Sequence, residues 1–167
     1  MSSKSKLIIN CGATHVSASE FGVSAGRLVL ESFQVQELKY DYSNQEEWLS
    51  ELAATLKMMR VSGKATVIAP SMLLLTKTIK IPHVDEARRA EVIQFEAEKN
   101  IPYPINEVSW DYEIISDDGV ETEIFLTSMK STAADDFCMA LSQAGVIPES
   151  IEASSILDYN AWKYCGL

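Results

Sequence analysis

Apolar and polar positions alternate with two different periods along this chain, and the change from one to the other marks its elements. Leu7–Ile9 is a short apolar run bounded by Gly12, which predicts a buried strand. From Thr14 the residues alternate, with Thr14, Val16 and Ala18 on one face and His15, Ser17 and Ser19 on the other. Phe21-Gly22 and Ala25-Gly26 supply turn chemistry, and 27–38 returns as a third strand. Its apolar phase slips between Leu28/Leu30 and Phe33/Val35, which predicts a bulge near Glu31 and Ser32. Ser43-Asn44-Gln45-Glu46 has capping-box spacing and opens a helix to about Arg60, with Trp48, Leu49, Leu52, Leu56 and Met59 on one stripe. Gly63 ends that helix, and 64–69 reads as a buried strand stopped by Pro70. The opening order is therefore β-β-β-α-β.

A second pattern follows. Residues 73–81 read as a strand closed by Pro82, and Asp85 is placed to cap a helix to about Asn100, with Ala90, Ile93, Ala97 and Ile101 along one side. Ile101-Pro102-Tyr103-Pro104 forces extended backbone, because each proline fixes its own φ and drives its predecessor out of the helical region. Val108, Trp110, Tyr112 and Ile114 alternate with polar residues, so that strand has one wet face, and Asp117-Asp118-Gly119 turns it back into 120–129. Thr132 and Asp135 are spaced to box a helix ending at Gly145; a strand over 146–153 and a helix from Ser154 to about Tyr164 complete the chain. The expected organisation is a core of residues 1–70 and 147–167 with an α+β subdomain, 71–146, inserted in it.

Charge narrows the function. The 24 Asp and Glu outnumber the 14 Lys and Arg, for a net charge of −10, and no basic patch interrupts the surplus. Such a surface repels phosphate backbones and anionic headgroups, so no nucleic acid and no direct membrane insertion are expected. The 3 cysteines, Cys11, Cys138 and Cys165, are far apart, and with only His15 and His83 beside them no metal site is expected. Unpaired thiols fit a reducing compartment, and no apolar run, Met72–Leu75 included, approaches the length of a membrane span. These features predict a cytoplasmic chain.

Two segments offer chemistry. The turn around Asn10-Cys11-Gly12-Ala13-Thr14-His15 joins two strands, and a tight turn of Gly and small hydroxyl residues can aim amides at a phosphate. Taken by itself, such a turn is more often a plain hairpin connection. There is no Gly-Lys-Ser/Thr phosphate loop, and no nucleophile stands at catalytic spacing from a base. The other segment, Ile101, Pro102, Tyr103 and Pro104, is a rigid elbow able to present a surface to a partner peptide. Trp110 fits a core role better than a binding one, and Tyr103 suits either.

The stretch Ala90-Glu91-Val92-Ile93-Gln94-Phe95-Glu96-Ala97-Glu98-Lys99-Asn100-Ile101-Pro102-Tyr103-Pro104, continued by Val108-Ser109-Trp110-Asp111-Tyr112, resembles the PilM proteins of type IV pilus assembly and, more distantly, FtsA of cell division. Ala69-Pro70-Ser71, Ile81-Pro82 and Ala144-Gly145 fall where that family has like features. The resemblance implies an α/β fold with a ribonuclease H-like, actin-like core and an inserted smaller α+β subdomain. It implies ATP held between two core halves, and a groove beside the inserted subdomain for the N-terminal cytoplasmic tail of a PilN-like inner-membrane protein. That grip would bring a cytoplasmic protein to the inner membrane among other pilus platform proteins.

On that resemblance Asn10, Gly12, Ala13, Thr14 and Ser17 take the place of the first phosphate loop, and Ile101–Pro104 that of a partner-binding elbow. Asn10 and Ser17 stand where the family usually has Asp and Lys, so neither a magnesium-holding carboxylate nor a phosphate-neutralising ammonium is supplied. The chain also stops about where a second core half would begin. The expectation is thus an adaptor for a pilus or related secretion platform, not an enzyme, with no cofactor of its own; ATP and magnesium would belong to a full-length form. The alternative is an ATP-binding actin-like protein of the FtsA, cell-division kind whose second half is missing here.

Overall fold

The computed structural model describes residues 5–41 and 44–166. The chain divides into two compact units, Met1–Met72 with Asp135–Leu167, and Leu73–Ala134.

The first unit is built on a five-stranded sheet. Strands β1 (Lys6–Cys11), β2 (His15–Ser24) and β3 (Arg27–Glu37) form an antiparallel meander, and β4 (Gly63–Ala69) runs parallel to β1. β8 (Val146–Ala153) is parallel to β4, giving the order β3-β2-β1-β4-β8. Ala25 and Gly26, with φ of 51° and 75°, make the two-residue turn between β2 and β3. Two positive φ values match the natural twist of a hairpin. Phe21-Gly22, expected as a turn, instead lies inside β2. The Glu31 carboxylate lies over Gly22, in the space a Cβ would take. The bulge is real: Glu20 pairs with Ser32 and Phe21 with Leu30, so Glu31 is the extra residue.

Helix α1 (Gln45–Met58) connects β3 to β4 and buries Trp48, Leu52 and Leu56 completely. Its cap is Asn44, whose side chain accepts from the amides of Glu46 and Glu47 while its Nδ2 donates to Glu47 Oε1 at 3.0 Å. Ser43, expected as the capping residue, lies outside the described residues. Helix α3 (Ser131–Gln143) brings Phe137 onto Trp48, ring centroids 5.9 Å apart and planes 25° from parallel. Its residues from Asp135 therefore belong with the first unit, and the chain returns to that unit earlier than the expected 147. The helix starts at Ser131, so Thr132 sits within its first turn. Ile9, Cys11, Val16, Val67, Leu141 and Val146 fill the same core. Helix α4 (Ser154–Cys165) follows β8 and has no fully buried residue.

The second unit is a three-stranded antiparallel sheet, β5 (Leu75–Pro82), β6 (Val108–Asp117) and β7 (Glu121–Lys130), in the order β5-β7-β6. Helix α2 (Glu86–Asn100) lays Ile93 and Ala97 on it. Ile93 joins Ile79, Ile81 and Ile124, and Ala97 joins Ile101, Val108 and Leu126. Trp110 and Tyr112 pack partly buried against both clusters. Asp85 stands at the N-cap of α2, yet only its backbone carbonyl is used, by the amides of Arg88 and Arg89. Ala90, expected on the buried side, is exposed.

Candidate functional site

The five residues expected at the phosphate loop all lie in one hairpin, and its geometry follows from a few bonds. The Gly12 amide donates to His15 O at 2.8 Å, closing the turn between β1 and β2. A Cβ at Gly12 would stand 2.8 Å from that same backbone oxygen, so no other residue fits. Three long-range donors then hold the turn's carbonyls. Trp48 Nε1 donates to Gly12 O at 3.2 Å, the Tyr40 hydroxyl to Ala13 O at 2.7 Å, and the Leu38 amide to Thr14 O at 2.8 Å. The turn is thereby tied to α1 and to the end of β3. The amides of Ala13 and Thr14 meet no acceptor among the described residues.

Asn10 and Ser17 are directly paired across β1 and β2, so their side chains share one face of the sheet; Asn10 is exposed and Ser17 half-buried. Thr14 Oγ1 lies 2.9 Å from His15 Nδ1, which occupies the hydroxyl locally. The hairpin therefore offers two amides and neutral side chains, with no lysine or arginine from residue 10 to 17. Cys11, between them, is fully buried, and burial pushes its thiol up to about 12, so it stays protonated and chemically quiet at neutral pH.

Sequence reasoning missed what adjoins the hairpin on the Tyr40 side. A cavity of about 520 Å³ is lined by Lys39, Tyr40, Asn44, Glu46, Glu47 and Glu51 among others. Glu51 Oε1 accepts from the Lys39 amide at 3.2 Å and Glu47 Oε2 from the Asp41 amide at 3.1 Å, which keeps these carboxylates at the wall. A wall with three acids disfavours phosphate. The only hint in sequence was the acidic start of α1, which reads equally well as a solvated helix face. No group of three His, Cys, Asp or Glu side chains able to hold a metal occurs among the described residues.

The second expected site divides. Ile101 departs from a partner-facing role: it is only 4% exposed and sits in the second unit's core against Ala97, Val108 and Leu126. Its amide closes α2 on Ala97 O at 2.9 Å. Pro102, Tyr103 and Pro104 are exposed. Lys130 Nζ lies 4.2 Å from the centroid of the Tyr103 ring, and the Glu107 amide donates to Pro104 O at 2.9 Å. The elbow is thus anchored by Ile101 and presents three stiff residues to solvent.

A comparison with known families gives a match over residues 9–161 to the family described as Type IV pilus assembly protein PilM. The chain belongs to this family. Among solved structures it superposes on a chain of the PilM–PilN type IV pilus biogenesis complex with a TM-score of 0.75 and 18% identity, covering 96% of this chain and 50% of that one. The cytoplasmic domain of EpsL, an inner-membrane component of the type II secretion system of Vibrio cholerae, matches with a TM-score of 0.50 and 9% identity, over 90% of this chain and 57% of that one. A Bacteroides thetaiotaomicron protein with an actin-like ATPase fold and unknown function aligns at a TM-score of 0.47 and 12% identity, over 97% of this chain and 57% of that one. No curated protein matches the sequence. The PilM-family chain thus has an α/β fold shared with a chain of the PilM–PilN complex, and it spans about half the length of the solved relatives it matches.

Proposed function

We propose that this PilM-family chain is an adaptor of a type IV pilus assembly platform that grips the N-terminal cytoplasmic tail of a PilN-like inner-membrane protein. The observation that carries this reading is the superposition, over nearly the whole chain, on a structure of a PilM–PilN complex. The exposed elbow of Pro102, Tyr103 and Pro104 supports it from the residue side, since a rigid apolar surface loses little entropy on meeting a peptide. Among the described residues no helix is long and apolar enough to cross a membrane, so its place at the inner membrane would come through that partner.

The same reading makes the chain an adaptor and not an enzyme. The hairpin at Gly12–Thr14 offers neutral donors only, beside an acidic cavity, which is poor ground for a nucleotide. A labelled peptide copying the tail is expected to saturate the chain at micromolar concentration, about −8 kcal/mol, while a scrambled peptide leaves anisotropy unchanged. Equal binding of both peptides, or of neither by a folded chain, would refute the adaptor role.

A further inference from the structure

Strand β6 is an edge of the second unit's sheet, with β7 as its sheet neighbour and no other strand beside it among the described residues. Alternate amides and carbonyls of such a strand point away from the sheet, so one side of its ladder is unused. One β6 amide finds a local acceptor instead: Tyr112 N donates to Oδ1 of the neighbouring Asp111 at 2.8 Å. That carboxylate does for the amide what the carbonyl of a further strand would do.

The two faces of β6 differ. Trp110 and Tyr112, their ring centroids 6.4 Å apart, are half-buried on the α2 side and pack against the core. Ser109, Asp111 and Glu113 lie on the other side and are exposed. Charge along this strand has one sign. Residues 105–121 include Glu107, Asp111, Glu113, Asp117, Asp118 and Glu121, and no lysine or arginine. His83 and Arg89 meet Asp117, and Lys80 meets Glu121. Asp111 and Glu113 have no ion-pair partner among the described residues. Standing two residues apart on one face, they repel any acidic strand laid beside them.

We propose that the β6 edge, over residues 109–114, docks an extended partner peptide of alternating basic and apolar residues, which joins the sheet as a fourth strand. Backbone hydrogen bonds to the unused ladder hold it. Its basic side chains stand opposite Asp111 and Glu113, and its apolar ones beside Trp110 and Tyr112. A wholly apolar strand would leave both carboxylates without a counter-charge. The bulge between Ile114 and Ser116 interrupts the regular edge and sets the limit of the site. The edge is separate from the elbow of Pro102, Tyr103 and Pro104, so this inference stands apart from the adaptor reading.

Fluorescence anisotropy of a labelled peptide of alternating lysine and valine, titrated with the 167-residue chain, tests this. The expected result is saturable binding that weakens with added salt. A block peptide of the same composition, all lysines before all valines, should bind about tenfold more weakly, since alternation is what matches the two faces of a strand. Asp111→Lys and Glu113→Lys, both at exposed positions, should each weaken binding about tenfold, because an attractive cross-strand pair becomes a repulsive one. Glu91→Lys, the same charge change at an exposed position of α2, should leave binding unchanged. Hydrogen exchange of the β6 amides should slow on saturation. Equal binding of the two peptides, or of neither by the folded chain, would overturn the proposal. So would a loss through Glu91→Lys equal to that through Glu113→Lys, or β6 amides that exchange as fast with the peptide as without it.

Discussion

At Gly12 the backbone of the turn leaves no room for a methyl group: 2.8 Å from a carbonyl oxygen is closer than real Cβ atoms stand. Gly12→Ala should therefore destabilise the chain by about 1–3 kcal/mol in urea unfolding, the usual cost of forcing extra volume into a fitted place. Ala13→Gly, at an exposed position of the same turn, should cost less. The test separates a glycine kept for turn closure from one kept for a ligand, because the loss appears with no nucleotide present. The hairpin could be located in the sequence because it is local, with all five candidate residues between 10 and 17. What holds it was not readable there. Trp48 and Tyr40 reach back to Gly12 and Ala13 from far along the chain, and a donor that distant leaves no spacing signal.

Among the elements, the β6–β7 hairpin shows how a turn and a side chain reinforce each other. The Gly119 amide, then the His83 ring at 2.8 Å and the Thr122 hydroxyl, hold the Asp117 carboxyl below its ordinary value of 3.8. A carboxyl whose folded pKa is depressed adds stability above its unfolded value, and that stability is lost as the pH falls through the folded one. Wild type should thus exceed Asp117→Asn in melting temperature at neutral pH. The gap should close as the pH falls below about 4. A gap that stayed constant down to pH 2 would show that the carboxylate's charge is irrelevant.

Legibility varied by element for physical reasons. The β3 bulge was readable because a slipped phase is written in the residues themselves. Gly22 misled because glycine marks both turns and close approaches, and here Glu31 lies over it. Ile101 misled in a similar way: a rigid elbow needs an anchor, and the apolar residue nearest the helix end supplies it. The membership of α3 was hidden because it depends on the Phe137–Trp48 stack, a tertiary contact without local trace. Phe137→Ala should cost about 3–5 kcal/mol, read from chemical denaturation of the whole chain.

At the scale of the molecule, a net charge of −10 and a family match over residues 9–161 bear on the same question, what the chain associates with. The acidic balance disfavours polyanions and suits a polypeptide partner. Magnesium-ATP at millimolar concentration should leave the melting temperature unchanged, since a ligand stabilises only what it binds in the folded state. A rise of several degrees would restore the nucleotide to the account. The adaptor claim itself is tested most directly by fractionating cells that express the chain with a PilN-like partner, intact or lacking its cytoplasmic tail. The account predicts that the chain sediments with the inner membrane beside the intact partner and stays in the supernatant beside the truncated one. The same distribution in both strains would contradict it.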